Sequence, residues 1–274
     1  VAASGYEMAE ASAIFRFVGM VGFEVRDLVF FNWNTALGTD GYTLYGVHVD
    51  IRPDEVNSQR ASGFRFVDCG FYGSVNHNAS MQLAIGVPGS SPAVGSQCDT
   101  GRFIGCVFQA SAYIVGFKAA CVRFMDGNNT KVFHFQDCSY TNCRIGVDHY
   151  YASATLSISR GSFESLSEAA VVNNGFLQLQ DCQSERVGAV VTGTTGRTVG
   201  KNCSFNLDGS GAAVSQGTID LTECAIINSH VLLQATAIDT ATEVWTVYNY
   251  STRTPANGDE VVVRSTNANG IPGN

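Results

Sequence analysis

Two glutamates, Glu164 and Glu185, stand 21 residues apart in a chain whose text repeats at that interval. Stacking of the repeat would make them neighbours on one outward stripe, which is the arrangement glycoside hydrolysis needs. That reaction takes two carboxyl groups, ~5–5.5 Å apart for retention or ~6.5–9.5 Å apart for inversion. Adjacent like charges would raise one of the two pKa values, as a general acid requires. Arg160 and Arg186 lie close in sequence and partly cancel that effect, so a solvated acidic stripe is the competing reading. A second constellation is Asp148-His149-Tyr150-Tyr151, joined by Asp126 from a nearby insertion. Aromatic rings beside acids suit a sugar, whose apolar face stacks on rings while its hydroxyls bond carboxylates. These five residues and Arg186 are the candidate substrate contacts. His149 and His134 are isolated histidines and read as structural. A third series, Asp68, Asp137, Asp181 and Glu223, recurs with the repeat and alternates with Arg160 and Asn202. A role in satisfying the amides of a bend explains that recurrence better than catalysis does.

Other chemistries find no footing. The chain has no P-loop, no dinucleotide-binding glycine fingerprint, no H-E-x-x-H and no G-x-S-x-G. Cys138 and Cys143 are the nearest approach to a zinc pair, with no partnering histidines. The acids and bases do not assemble into the cluster of a calcium-dependent lyase. No metal and no cofactor is expected.

The elements that must position these residues are short strands. Phe133-His134-Phe135-Gln136-Asp137-Cys138, Leu156-Ser157-Ile158-Ser159-Arg160-Gly161, Leu177-Gln178-Leu179-Gln180-Asp181-Cys182 and Ile219-Asp220-Leu221-Thr222-Glu223-Cys224 share one pattern. Thr198-Val199-Gly200-Lys201-Asn202-Cys203 is a degenerate copy. The small residue falls at 138, 161, 182, 203 and 224, in steps of 23, 21, 21 and 21. A fixed period of this size marks a solenoid, and alternation with period two marks strands. Each copy adds a second apolar run, such as Ile145-Gly146-Val147 or Ala169-Ala170-Val171-Val172, and leaves no room for an amphipathic helix. At ~3.3 Å per residue and ~4.8 Å between strands, one copy makes one coil of a parallel β-helix.

Composition agrees with an all-β solenoid in one domain. Of 274 residues, 29 are glycine and only 15% are charged. A net charge of −8 argues against nucleic acid as partner. No apolar run approaches the ~20 residues of a membrane-spanning helix, so membrane insertion is not expected. Six of the nine cysteines (69, 106, 138, 182, 203 and 224) occupy the repeat's small slot, where they read as small buried residues. Free thiols in turn point to synthesis in a reducing cytosol.

Three regions follow. Residues 1–22 are an Ala-rich N-terminal cap with helical character, capping the open edge of the first coil. Residues 23–238 are the β-helix, beginning with Phe23–Leu28, continuing through Tyr42–Val47 and then Phe64–Cys69. Insertions at Ser74–Thr100 and Phe117–Thr130 interrupt it, and such insertions are where specificity is expected. Residues 239–274 form a C-terminal β-hairpin of Glu243–Tyr250 and Glu260–Arg264, serving as a cap or an oligomer contact. Val1 reads as a processing boundary, with room for an attachment domain upstream.

The 21-residue coil, the small-residue ladder with Asp137-Cys138, Asp181-Cys182 and Glu223-Cys224, and the loops thrown from single coils resemble the right-handed parallel β-helix of bacteriophage tailspikes and pectate-lyase-like proteins. The likeness covers about Phe23–Leu233 and includes no catalytic motif. It implies a homotrimeric virion protein of the phage tail, made in the host cytoplasm and acting outside it. Such a protein binds or cleaves a bacterial surface polysaccharide, capsule or O-antigen, through groove carboxylates. A non-catalytic fibre subunit and a secreted polysaccharide lyase are the alternatives.

Overall fold

The computed structural model describes residues 13–31, 47–54, 56–73, 81–86, 98–110, 120–124, 132–149, 154–193, 195–207, 218–227, 234–239 and 244–248. Among them every regular element is a strand. Three parallel sheets are visited in turn. The first holds Ala13–Val18, Val47–Arg52, Met81–Ile85, Ala120–Phe124, Ile145–His149, Ala169–Asn173 and Val191–Thr192. The second holds Glu24–Arg26, Arg65–Val67, Gly101–Ile104, Val132–Gln136, Thr155–Ser159, Phe176–Gln180, Arg197–Lys201 and Thr218–Thr222. The third holds Val29–Phe31, Gly70–Gly73, Val107–Ala110, Ser139–Thr141, Ser162–Leu166, Gln183–Val187, Ser204–Leu207 and Ala225–Ile227. Each pass of the chain lays one strand on each sheet, so residues one repeat apart pair in register. Leu156, for example, lies beside Leu177, and Ile158 beside Leu179.

Alternation decides which side chains face the interior. On the third sheet, Phe30, Phe71, Phe108, Tyr140 and Phe163 stack one above the next, with ring centroids 5.0, 4.7, 5.4 and 4.8 Å apart. On the second, Phe66, Phe103 and Phe135 do the same at 5.3 and 4.6 Å. Parallel register forces like residues into contact, and aromatic pairs add ~0.5–1.5 kcal/mol each beyond the area they bury.

The bend from second to third sheet has one conformation in every coil. Asp27, Asp68, Gly105, Asp137, Arg160, Asp181, Asn202 and Glu223 all have φ between 51° and 65°. That left-handed region favours Gly, Asn and Asp, which is why acids and amides recur there. In every coil after the first, where Leu28 is exposed, the residue after it is small: Cys or Gly. Cys69, Cys106, Cys138 and Cys182 each place Sγ 3.4–3.6 Å from a carbonyl of the coil before, on Val25, Phe66, Phe103 and Ile158. All nine cysteines are free. Hydrogen bonding with Cys138 pushes the Cys106 thiol up to about 12, which keeps it protonated and unreactive.

The early coils differ from the sequence reading. Ala13–Val18 is a first-sheet strand, not part of a helical cap, because Ile14, Phe15, Phe17 and Val18 are β-branched or aromatic. Residues 1–12 lie outside the described residues. A second-sheet copy was expected at Tyr42–Val47, but Glu24–Arg26 pairs directly with Arg65–Val67 and Val47 opens a first-sheet strand; residues 42–46 lie outside the described residues. The first full coil is therefore long, not split in two. The two expected insertions each contain a first-sheet strand, Met81–Ile85 and Ala120–Phe124, so the added length flanks these strands. At the other end, Val244–Tyr248 pairs antiparallel with Gln234–Asp239, the segment before it. Its expected partner, residues 260–264, lies outside the described residues.

Candidate functional site

Glu164 and Glu185 are in-register neighbours on the third sheet. Their side chains are 46% and 64% exposed, and Arg186 lies 3.6 Å from a carboxylate oxygen of each. Arg186 also donates from Nη2 to Ser165 Oγ at 2.8 Å. A shared guanidinium relieves the repulsion that would have set the two carboxyls apart, and open solvent screens what remains. The arrangement is that of a solvated ion cluster on a flat face.

Asp148 and His149 fall elsewhere, on the first sheet, and both are buried. Asp148 Oδ2 accepts from Arg123 Nε at 2.8 Å and sits 2.7 Å from Arg123 Nη2. It thus holds a buried cation and does not present a carboxylate to a sugar. His149 points into the core, edge-on to Phe124 at 5.2 Å. Its Nδ1 donates to Asn173 Oδ1 at 2.9 Å, which fixes the tautomer because that oxygen can only accept. Burial lowers its pKa, so the ring is neutral and structural. Asn173 in turn donates to Thr198 Oγ1 at 3.1 Å and to the Gly175 carbonyl at 3.2 Å. Asp126, Tyr150 and Tyr151 lie outside the described residues. In a fully buried strand, charged residues that sequence alone assigns to a surface can be internal partners. That is the physical reason for the difference at Asp148 and His149.

The recurring bend acids bond across coils. Arg160 Nε and Nη2 donate to Asp137 Oδ1 and Oδ2 at 2.5 and 2.7 Å, and Asn202 Nδ2 donates to Asp181 Oδ1 at 2.6 Å. Hydrogen bonding from Arg160 holds the Asp137 carboxyl below the usual range. These partners are side chains of the next coil, where bend amides were expected.

A further polar surface is the solvent side of the second sheet. Arg65, Arg102, His134, Ser157 and Gln178 stand in register on five successive coils. Beside them run Gln136, Ser159, Gln180 and Lys201. A shallow depression of about 220 Å³ crosses the middle of this face, lined by Arg102, His134, Gln136, Ser157 and Ser159. Burial, then the charge of Arg102, lowers the pKa of His134. The signal was present in the sequence, because Arg65, Arg102 and His134 each stand four residues before the small slot at Cys69, Cys106 and Cys138, but a search for paired carboxylates passes over it. Among the described residues no group of three or more His, Cys, Asp or Glu could hold a metal. Compared with protein families, curated proteins and solved structures, the chain finds no match in any of the three.

Proposed function

We propose that this chain is a right-handed parallel β-helix of bacteriophage tailspike type, homotrimeric on the virion, and that it recognises a bacterial surface polysaccharide across its second sheet. The observation that carries the reading is the in-register row of solvent-facing polar side chains, Arg65 through Gln178, with its shallow depression. Donors and acceptors repeated every ~4.8 Å across flat strands suit an extended, hydroxylated polymer better than a compact ligand. The right hand is supported by the rule that parallel crossovers in one sheet are right-handed in about 98% of cases. Trimeric assembly and the virion location rest on the likeness to tailspikes.

A panel of capsules and O-antigens tests the proposal, with binding and new reducing ends both measured. Binding to at least one polymer is expected, and binding to none overturns the reading. Cleavage that disappears in Glu164→Gln or Glu185→Gln makes the protein an endo-glycosidase at that pair. Binding without cleavage makes it a receptor-binding protein only. The rival, a structural fibre subunit, is favoured by one observation: the first coil exposes Phe15, Met20, Val21, Leu28 and Val29 at 42–67%. Exposed apolar side chains on terminal strands suit contact with another protein.

A further inference from the structure

We infer that the polysaccharide is anionic, and that its acidic groups sit on the Arg65–Arg102–His134 row. This rests on the reading above and adds the chemical class of the ligand. Arg16, Arg26, Arg52, Arg60, Arg123, Arg144, Arg160 and Arg186 each lie within 4 Å of a carboxylate. Arg197 lies over the Phe176 ring, 6.0 Å from its centroid. Arg65 and Arg102 are exposed and have no ion-pair partner among the described residues. They are also direct register neighbours, so two like charges stand side by side on adjacent strands. Such a pair is unfavourable by itself and becomes favourable when an anion bridges it.

The surroundings sharpen this. His134 continues the row on the next coil. Glu24 is the register neighbour of Arg65 on the coil before, with its carboxylate held by Arg26 at 2.9 Å, and Asp137 is held by Arg160; Asp27 and Asp68 stand in the bend beyond. A chain of net charge −8 repels polyanions at large. A guanidinium pair with no ion-pair partner among the described residues therefore marks, on this polar face, the place where one can dock. The guanidinium fork takes carboxylate, sulfate or phosphate in two parallel hydrogen bonds. Ser157, Gln178 and Gln136 then meet hydroxyls along the same line.

The test uses the full chain and three defined polymers: polygalacturonate, dextran sulfate and neutral dextran. Affinity is measured calorimetrically for wild type, Arg65→Gln/Arg102→Gln and, as a control outside the second sheet, the exposed Arg60→Gln. The altered side chains face solvent, and unchanged unfolding midpoints confirm that the variants fold. At least one anionic polymer is expected to bind, and to lose tenfold or more in affinity in the double variant but not in Arg60→Gln. Its affinity should fall steeply between ~50 and ~200 mM salt. Preference for polygalacturonate identifies carboxylate as the recognised group, and preference for dextran sulfate identifies sulfate. Binding that is equal in the double variant, or equal for neutral dextran, overturns the inference and leaves glycan recognition standing. Binding to neither anionic polymer also overturns it, and the capsule and O-antigen panel then decides separately whether glycan recognition survives.

Discussion

Replacing Asp148 by leucine is expected to cost ~3–5 kcal/mol of folding stability, because it strands a buried cation. Arg123 and Asp148 are 5% and 7% exposed. Both guanidinium contacts, at 2.8 and 2.7 Å, fall on the same carboxylate oxygen. At an effective dielectric constant of ~20, unit charges 4 Å apart attract by ~4 kcal/mol, which agrees with that range. Arg123 has a further interaction of its own, so the lower half of the range is the better expectation. The double variant Arg123→Met/Asp148→Leu removes both charges and should recover most of the loss, since apolar replacement of a buried pair is often neutral. Urea unfolding followed by circular dichroism reads both values, provided the slope with urea is unchanged. A loss below ~1 kcal/mol in Asp148→Leu, or no recovery in the double variant, would refute the assignment of Asp148 as a structural ion-pair partner. Glycan affinity separates the two readings of this residue: a sugar contact loses binding at full stability, and a buried partner loses stability first.

Three further outcomes follow from the interior. His149 is buried with its pKa lowered, chiefly by burial. The unfolded chain therefore takes up the proton first, and stability falls as pH drops below ~6.5; pH-dependent urea melts should show a shallower acid limb in His149→Gln, by up to ~1.4 kcal/mol per pH unit. Phe103 stacks between Phe66 and Phe135 at 5.3 and 4.6 Å, so Phe103→Ala should cost ~3–5 kcal/mol and Phe103→Leu much less, as read from denaturant midpoints. Gly161 interrupts the cysteine ladder, and a Cβ there would meet Ile158 Cγ2 at 2.8 Å; Gly161→Ala should lower stability by ~1–3 kcal/mol through overpacking, and an unchanged thermal midpoint would show that Ile158 yields freely.

The regular coils were readable because parallel register repeats one environment. Cys138, Cys182, Cys203 and Cys224 fill the same inward bend, and its demand for a small residue is written into the text at a fixed step. The acids before them were equally visible as a series, but not their cause. Arg160 and Glu223 occupy the same left-handed bend as Asp137 and Asp181, so backbone conformation unites the row more closely than carboxylate chemistry does. Sequence placed Glu164 beside Glu185 because both follow the small slot by three residues in coils of standard length. It could not place Asp148, because the strand Ile145–His149 is buried at every position. A charge in such a strand needs an internal partner, and Arg123 belongs to a coil whose register the insertions obscure.

Those same insertions bear on where recognition sits. Arg102 and His134 belong to the coils that contain Met81–Ile85 and Ala120–Phe124, the strands flanked by added sequence. Regular coils further along the second sheet put Ser157, Gln178 and Val199 in that row. A repeating coil needs only a soluble outward residue at this position, and serine or glutamine suffices. Unpaired arginine on neighbouring coils adds repulsion that folding does not require. The cost is localised to coils whose length also departs from the repeat, and two independent departures from a periodic optimum coincide there. Stability alone favours neither, and the proposed recognition of an anionic ligand by these coils would account for both.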